Sequence, residues 1–215
     1  TFTNNGYFQI GHNFTGVGIL KQSGGNFEMG TAYNGQLGIS RSGTGVVYLA
    51  GGTFATGTSP YQANPTIDVG NSSDNGTTNG FAELTITGTA LASVAGYINI
   101  GDRYNMFATL NLNGGVLSAN YISRAARTNT TALVNFNGGT FRARQGGNII
   151  ASGANTPTAV NIYGSGAIFD IPTNLACTVP VTLIAPPGNG VSGLTVVPTP
   201  GYIGAPMVTV TGGGG

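Results

Sequence analysis

The side chains that could carry chemistry in this 215-residue chain are few: six carboxylates, seven basic residues, one histidine and one cysteine. The acids are Glu28, Asp68, Asp74, Glu83, Asp102 and Asp170. Cleaving a polysaccharide needs clustered carboxylates, or carboxylates joined by Ca²⁺ and a basic residue. These acids are scattered singly along the chain. Asp68 and Asp102 accompany comparable apolar segments, I-D-V-G and I-N-I-G. Stacked strands lie about 4.8 Å apart, which could bring these two together. The plainer reading is isolated, solvated or turn-capping acids. His12 has no second histidine and no cysteine near it, as a transition-metal site would require. Asn71, Ser73, Asn75 and Gly76, near Asp74, resemble an oxygen-rich Ca²⁺ loop, but the closing bidentate Glu is misplaced. The Gly-Gly-x-Gly-x-Asp calcium repeat and the Gly-Lys-Ser/Thr phosphate loop are both missing. The single Cys177 excludes an intrachain disulfide and reads as a small buried apolar residue. An intermolecular bridge or a reactive thiol are its alternatives.

Arg124, Arg127, Arg142 and Arg144 form the one basic cluster and the candidate interaction surface. They could meet an anionic glycan, or they could form a solubilising face with an ion pair. Tyr7, Tyr33, Tyr48, Tyr61, Tyr97, Tyr104 and Tyr121 offer rings for sugar stacking, although their irregular spacing fits loop packing better. Asn-x-Ser/Thr triplets at Asn13, Asn71, Asn75 and Asn129 are expected by chance in so Asn- and Thr-rich a chain. The formal net charge of +1 provides no electrostatic footprint for nucleic acid. No apolar run reaches membrane-spanning length. The chain therefore reads as not an enzyme, with no catalytic residue, cofactor or metal.

What must position these residues is a repeat. Residues 107–119 (F-A-T-L-N-L-N-G-G-V-L-S-A) and 131–143 (T-A-L-V-N-F-N-G-G-T-F-R-A) are two copies of one phrase. Each reads as a strand, a Gly-Gly corner and a short second strand. Leu110 and Leu112 alternate with Asn111 and Asn113, the period of a half-buried strand. Glycine supplies the backbone freedom that the corner needs. Equivalent corners begin at Gly24, Gly51, Gly88, Gly114, Gly138 and Gly164. The one long interval holds the polar stretch 71–80, a loop that can bulge from a stack.

Two apolar columns precede the corners. Four residues before lie Leu20, Val47, Leu84, Leu110, Val134 and Val160. Two before lie Gln22, Leu49, Ile86, Leu112, Phe136 and Ile162, broken only by Gln22. Three after come Phe27, Phe54, Leu91, Leu117 and Phe141, with Ile168 or Phe169 completing the set. A further strand recurs as F-Q-I-G, L-G-I-S, I-D-V-G and I-N-I-G, and in degenerate form as N-Y-I-S and N-I-I-A. A unit this short cannot bury its own apolar face and must stack on its neighbours. The expected fold is all-β: a parallel β-solenoid of about six coils over residues 1–171. Asn111, Asn135 and Asn161 should form an outer ladder. A β-sandwich built on the Asn-Gly pairs is the runner-up. Residues 172–215 carry seven of the ten prolines and read as a Pro/Gly-rich C-terminal cap, tail or linker rather than another coil. If the polar residues after the recurring strand share a column, Asp102 and Arg124 should pair across adjacent coils.

The N-L-N-G-G-V-L and N-F-N-G-G-T-F phrases resemble those of the autotransporter-associated β-strand repeat proteins, large secreted bacterial surface proteins. The tail G-Y-I-G-A-P-M-V-T-V-T-G-G-G-G is similar to a phrase in such proteins of planctomycete and verrucomicrobial type. The resemblance covers most of 7–169 and the tail. It implies an extracellular β-helix at the bacterial cell surface, with a structural, adhesive or passenger role and no general catalytic motif. The absent initiator Met and the Gly-rich end read as a processed or partial piece of a longer protein. The expected function is a structural module of a secreted fibre, stalk or matrix, self-associating through solenoid ends into a homopolymer or stacking on neighbouring modules. The alternatives are a glycan-binding adhesin and a polysaccharide lyase or hydrolase.

Overall fold

A computed structural model of the chain describes residues 1–4, 6–12, 15–30, 36–57, 67–71, 80–102 and 104–186. These residues form an all-β solenoid of stacked coils in which every strand pairing is parallel. The strands are, in order, β1 (Phe2–Asn4), β2 (Phe8–His12), β3 (Val17–Gln22), β4 (Asn26–Met29), β5 (Leu37–Arg41), β6 (Thr44–Leu49), β7 (Thr53–Thr56), β8 (Ile67–Val69) and β9 (Gly80–Ser93). They continue as β10 (Ile98–Ile100), β11 (Met106–Ala119), β12 (Ile122–Arg124), β13 (Thr131–Phe136), β14 (Thr140–Ala143), β15 (Gly147–Asn148), β16 (Ala159–Ile162), β17 (Ile168–Asp170) and β18 (Cys177–Thr178).

Three walls enclose the core. Wall one is β2-β5-β8-β10-β12. Wall two stacks β3, β6, the first half of β9, the first half of β11, β13 and β16. Wall three stacks β1, β4, β7, the second halves of β9 and β11, β14 and β17. β9 and β11 turn the Gly corner unbroken and so join walls two and three into one sheet.

The register follows the apolar columns. Leu20, Val47, Leu84, Leu110, Val134 and Val160 are successive partners, as are Gln22, Leu49, Ile86, Leu112, Phe136 and Ile162. Leu84, Leu110, Val134, Ile86, Leu112 and Phe136 are wholly buried. Burying each side chain of this size contributes about 1.5–3 kcal/mol. Wall three departs from expectation at one coil. Phe54 pairs with Ala92 rather than Leu91, and Ala92 pairs with Leu117. The register shifts between Gly114 and Val116, so the β9 corner holds one more residue than the β11 corner. That extra residue turns Leu91 outward, where it is exposed. Phe169, not Ile168, completes the column opposite Phe141.

The corner from wall one to wall two is tight. Gly11, Ser40, Gly70 and Gly101 close the wall-one strands with φ of +73°, +60°, +92° and +69°. These left-handed values favour glycine. Facing them is the column Gly18, Gly45, Ala82, Ala108 and Ala132. A Cβ on Gly18 would collide with the backbone of Gly11, so the wall comes too close for any larger side chain.

Stacking continues past the expected boundary at 171. β18 pairs with β15, and Ile184 bridges Asn161. Leu175, Cys177, Val179 and Val181 pack against the core end. Contacts divide the chain after Ile184, and of the second unit only Ala185 and Pro186 are described. The residues 72–79 of the expected bulging loop, with the candidate Ca²⁺ residues other than Asn71, lie outside the described residues, as does the tail from 187 onwards.

Candidate functional site

The outer face of wall one holds a cluster of titratable groups. Its outward row runs Gln9, Gly38, Asp68, Asn99 and Ser123, one residue per coil. Sequence reasoning took Asp68 for a solvated acid, yet it is 3% exposed. Its Oδ2 accepts hydrogen bonds from Gln36 Nε2 and, at 2.9 Å, from Asn71 Nδ2. Burial pushes its carboxyl up to about 6, with a further rise from the Asp102 charge and partial relief from the Asn71, Asn99 and Gln36 amides. The Asp102 charge therefore acts on Asp68. Asp102 N–H donates to Gly70 O at 3.0 Å, which ties it to the coil of Asp68.

Tyr7 completes this group. Its phenol lies over Gly38, filling the space that a side chain would occupy. Burial first, then the Asp68 charge, pushes Tyr7 up to about 12, against a lowering by Arg41. Tyr97 and Tyr121 stack at 4.8 Å and 3°. Their separation equals the repeat period, a signal in the sequence that irregular spacing of the whole tyrosine set conceals. Each ring spends a face on the other, which leaves less of either for a sugar.

Chemically, the set combines one carboxyl that exchanges a proton near neutral pH, a second carboxyl and several amides. A buried carboxyl held by the Gln36 and Asn71 amides joins one coil to the next. A groove of about 350 Å³ lies elsewhere, between Thr156, Pro157, Val160, Val181, Thr182 and Ile184. Among the described residues, no three His, Cys, Asp or Glu side chains converge as metal ligands.

The expected amide ladder forms on wall two. Asn161 Nδ2 donates to Asn135 Oδ1, and Asn135 Nδ2 to Asn111 Oδ1, both at 2.8 Å. Asn111 Nδ2 then reaches Thr85 Oγ1 at 3.0 Å and Glu83 Oε1 at 3.2 Å. The ladder ends at Asn161 Oδ1, which is buried and receives no donor from the described residues.

The four arginines belong to one coil but not to one patch. Arg142 Nε pairs with Asp170 Oδ2 at 2.6 Å on wall three. Arg144 Nη1 donates to Ser93 Oγ at 3.0 Å. Arg124 Nη2 donates to Arg127 O at 3.3 Å, and the Arg127 guanidinium sits 5.9 Å from the Tyr104 ring. The expected Asp102–Arg124 register is corrected. Arg124 is the strand partner of Ile100, two residues out of step with Asp102. Alignment on the small terminal residue of N-Y-I-S caused the error. The fold instead aligns Ile122 with buried Ile98. Arg124 thus extends the column of Ile10, Ile39, Val69 and Ile100, and its Nε is buried without an acceptor among the described residues. His12 is exposed beside Arg41. Cys177 is half-buried, with Sγ 3.5 Å from Gln145 O. Comparison with family models, curated proteins and solved structures finds no match for this chain.

Proposed function

We propose that the chain is a structural module of a secreted bacterial surface fibre, stalk or matrix, self-associating through the ends of its solenoid. The observation that supports this reading is the uninterrupted in-register ladder of wall two, six strands deep from β3 to β16. Such a ladder is a rod-forming element: each coil is a template for the next, and length is added without new design. The side chains follow the same logic. The Asn111–Asn135–Asn161 amides and the Phe27–Phe54 and Phe81–Phe107 ring pairs all join one coil to the next. Low charge removes the repulsion that would oppose close stacking of copies.

Light scattering and electron microscopy of the purified chain over a wide concentration range test the reading. The expected result is concentration-dependent growth into rods whose long axis is the stacking direction. A full-length chain that remains a monomer at high concentration refutes self-association.

A further inference from the structure

The two ends of the solenoid differ in sequence yet are level in register. At the N-terminal end, β1 pairs only with β4, β2 only with β5 and β3 only with β6. Their other edges have no strand among the described residues. Apolar side chains crowd this end: Val17 is 71% exposed, Phe2 50% and Ile19 48%. At the opposite end, Ile184 N–H donates to Val160 O at 3.0 Å, and Ile162 N–H donates to Ile184 O at 2.8 Å. These bonds make Ile184 the parallel neighbour of Asn161. Leu183 is then level with Val160, the last member of the column that begins at Leu20. Leu183 and Ile184 are each 40% exposed. Among the described residues, one end lacks the strand below and the other lacks the strand above.

Resting on the self-association reading, we infer that one copy adds its β3 to the 182–184 segment of another, continuing wall two in register so that Leu20 follows Leu183 and Lys21 follows Ile184. The occupant is argued from continuity. The interface proposed between copies repeats the interface that already joins each coil of wall two to the next. All strand pairings of wall two are parallel, so head-to-tail addition preserves strand direction, whereas two N-terminal ends meeting about a dyad would reverse it. Burial of Val17, Ile19 and Leu183 supplies apolar area, and the open backbone edges supply the hydrogen bonds.

Disulfide trapping reads the register directly. Adjacent strands place level residues about 4.8 Å apart, within the Cα separation that a disulfide accepts. In full-length chain carrying Cys177→Ser, the pair Lys21→Cys with Ile184→Cys should give a ladder of covalent multimers on mild oxidation. Ile19→Cys with Thr182→Cys is a second level pair, and Lys21→Cys with Thr182→Cys is the out-of-step control, expected to link at least tenfold less. All four positions are exposed, and circular dichroism checks that each variant keeps its β signature. Covalent dimers from Lys21→Cys alone would show N-terminal ends meeting each other and overturn the register. Assemblies seen by light scattering that link equally in control and level pairs overturn it too. A chain that stays monomeric by light scattering removes self-association itself, the broader reading.

Discussion

Replacing Asp68 by asparagine should stabilise this protein at neutral pH, which is unusual for a buried group with several hydrogen bonds. Its carboxyl stands at about 6 in the folded chain against an ordinary 3.8. A difference of roughly 2 units corresponds to about 3 kcal/mol between the neutral and charged forms. The folded state binds this proton more tightly than the unfolded state. Stability from this group is therefore fully present below about pH 4, falls as pH rises through 6, and is level above that. The charged form costs the fold about 3 kcal/mol at pH 7.5, with desolvation as the main cause and Asp102 as the second. Asparagine keeps the shape and an acceptor for Gln36 and Asn71, and it can pair with Asn99 as the wall-two amides pair with one another. We expect Asp68→Asn to gain about 1–3 kcal/mol at pH 7.5 and to differ little from the parent at pH 4. Urea unfolding followed by circular dichroism, from pH 4 to 8, measures the difference between variant and parent. Asp102→Asn should move the parent's midpoint downward by removing the second cause. A variant that is less stable at pH 7.5, or a difference that does not change with pH, would refute the electrostatic account.

Phe136→Ala should cost about 3–5 kcal/mol in thermal unfolding, because a wholly buried ring is lost between Leu112 and Ile162. Asn135→Ala breaks two amide bonds on the outer side and should cost about 1–2 kcal/mol; equal losses would mean the faces are reversed. Gly38→Ala drives a methyl group into the Tyr7 phenol and should cost about 1–3 kcal/mol. Combined with Tyr7→Ala it should cost less than the two losses added, and simple additivity in a double-mutant cycle would show that the phenol does not occupy that space. Ile184→Asn places an amide beside the unpaired Asn161 Oδ1 and should raise stability by up to about 1 kcal/mol; a lower melting temperature would count against the ladder's continuation.

The wall-two columns were legible because two local rules act together. Alternation sets which side chains face inward, and the Gly corner marks where each strand ends, so Leu20 through Val160 align by counting back from the corner. The Asn111–Asn135–Asn161 ladder follows from the same count. Counting failed wherever a coil changed length. One added residue at the Gly88 corner moved Leu91 out and Ala92 in, and at β12 the small Ser123 was mistaken for a corner residue. At β12 burial of Ile122 against Ile98 chose the register, and at the Gly88 corner the extra residue did. Asp68 was beyond counting altogether. Its alternation places it outward, and outward residues in a repeat read as solvated. Its burial and its neighbours come from Tyr7, Gln36 and Asp102, which reach it from other coils. The dispersal of the four arginines has the same origin, since each found its partner across a corner or a coil. Sequence alone determined the repeat, the strand faces and the stack, because these depend on period and turn chemistry within one coil. Tertiary structure decided which side chains meet between coils, because those contacts depend on where irregular residues are absorbed, and periodicity carries no record of that.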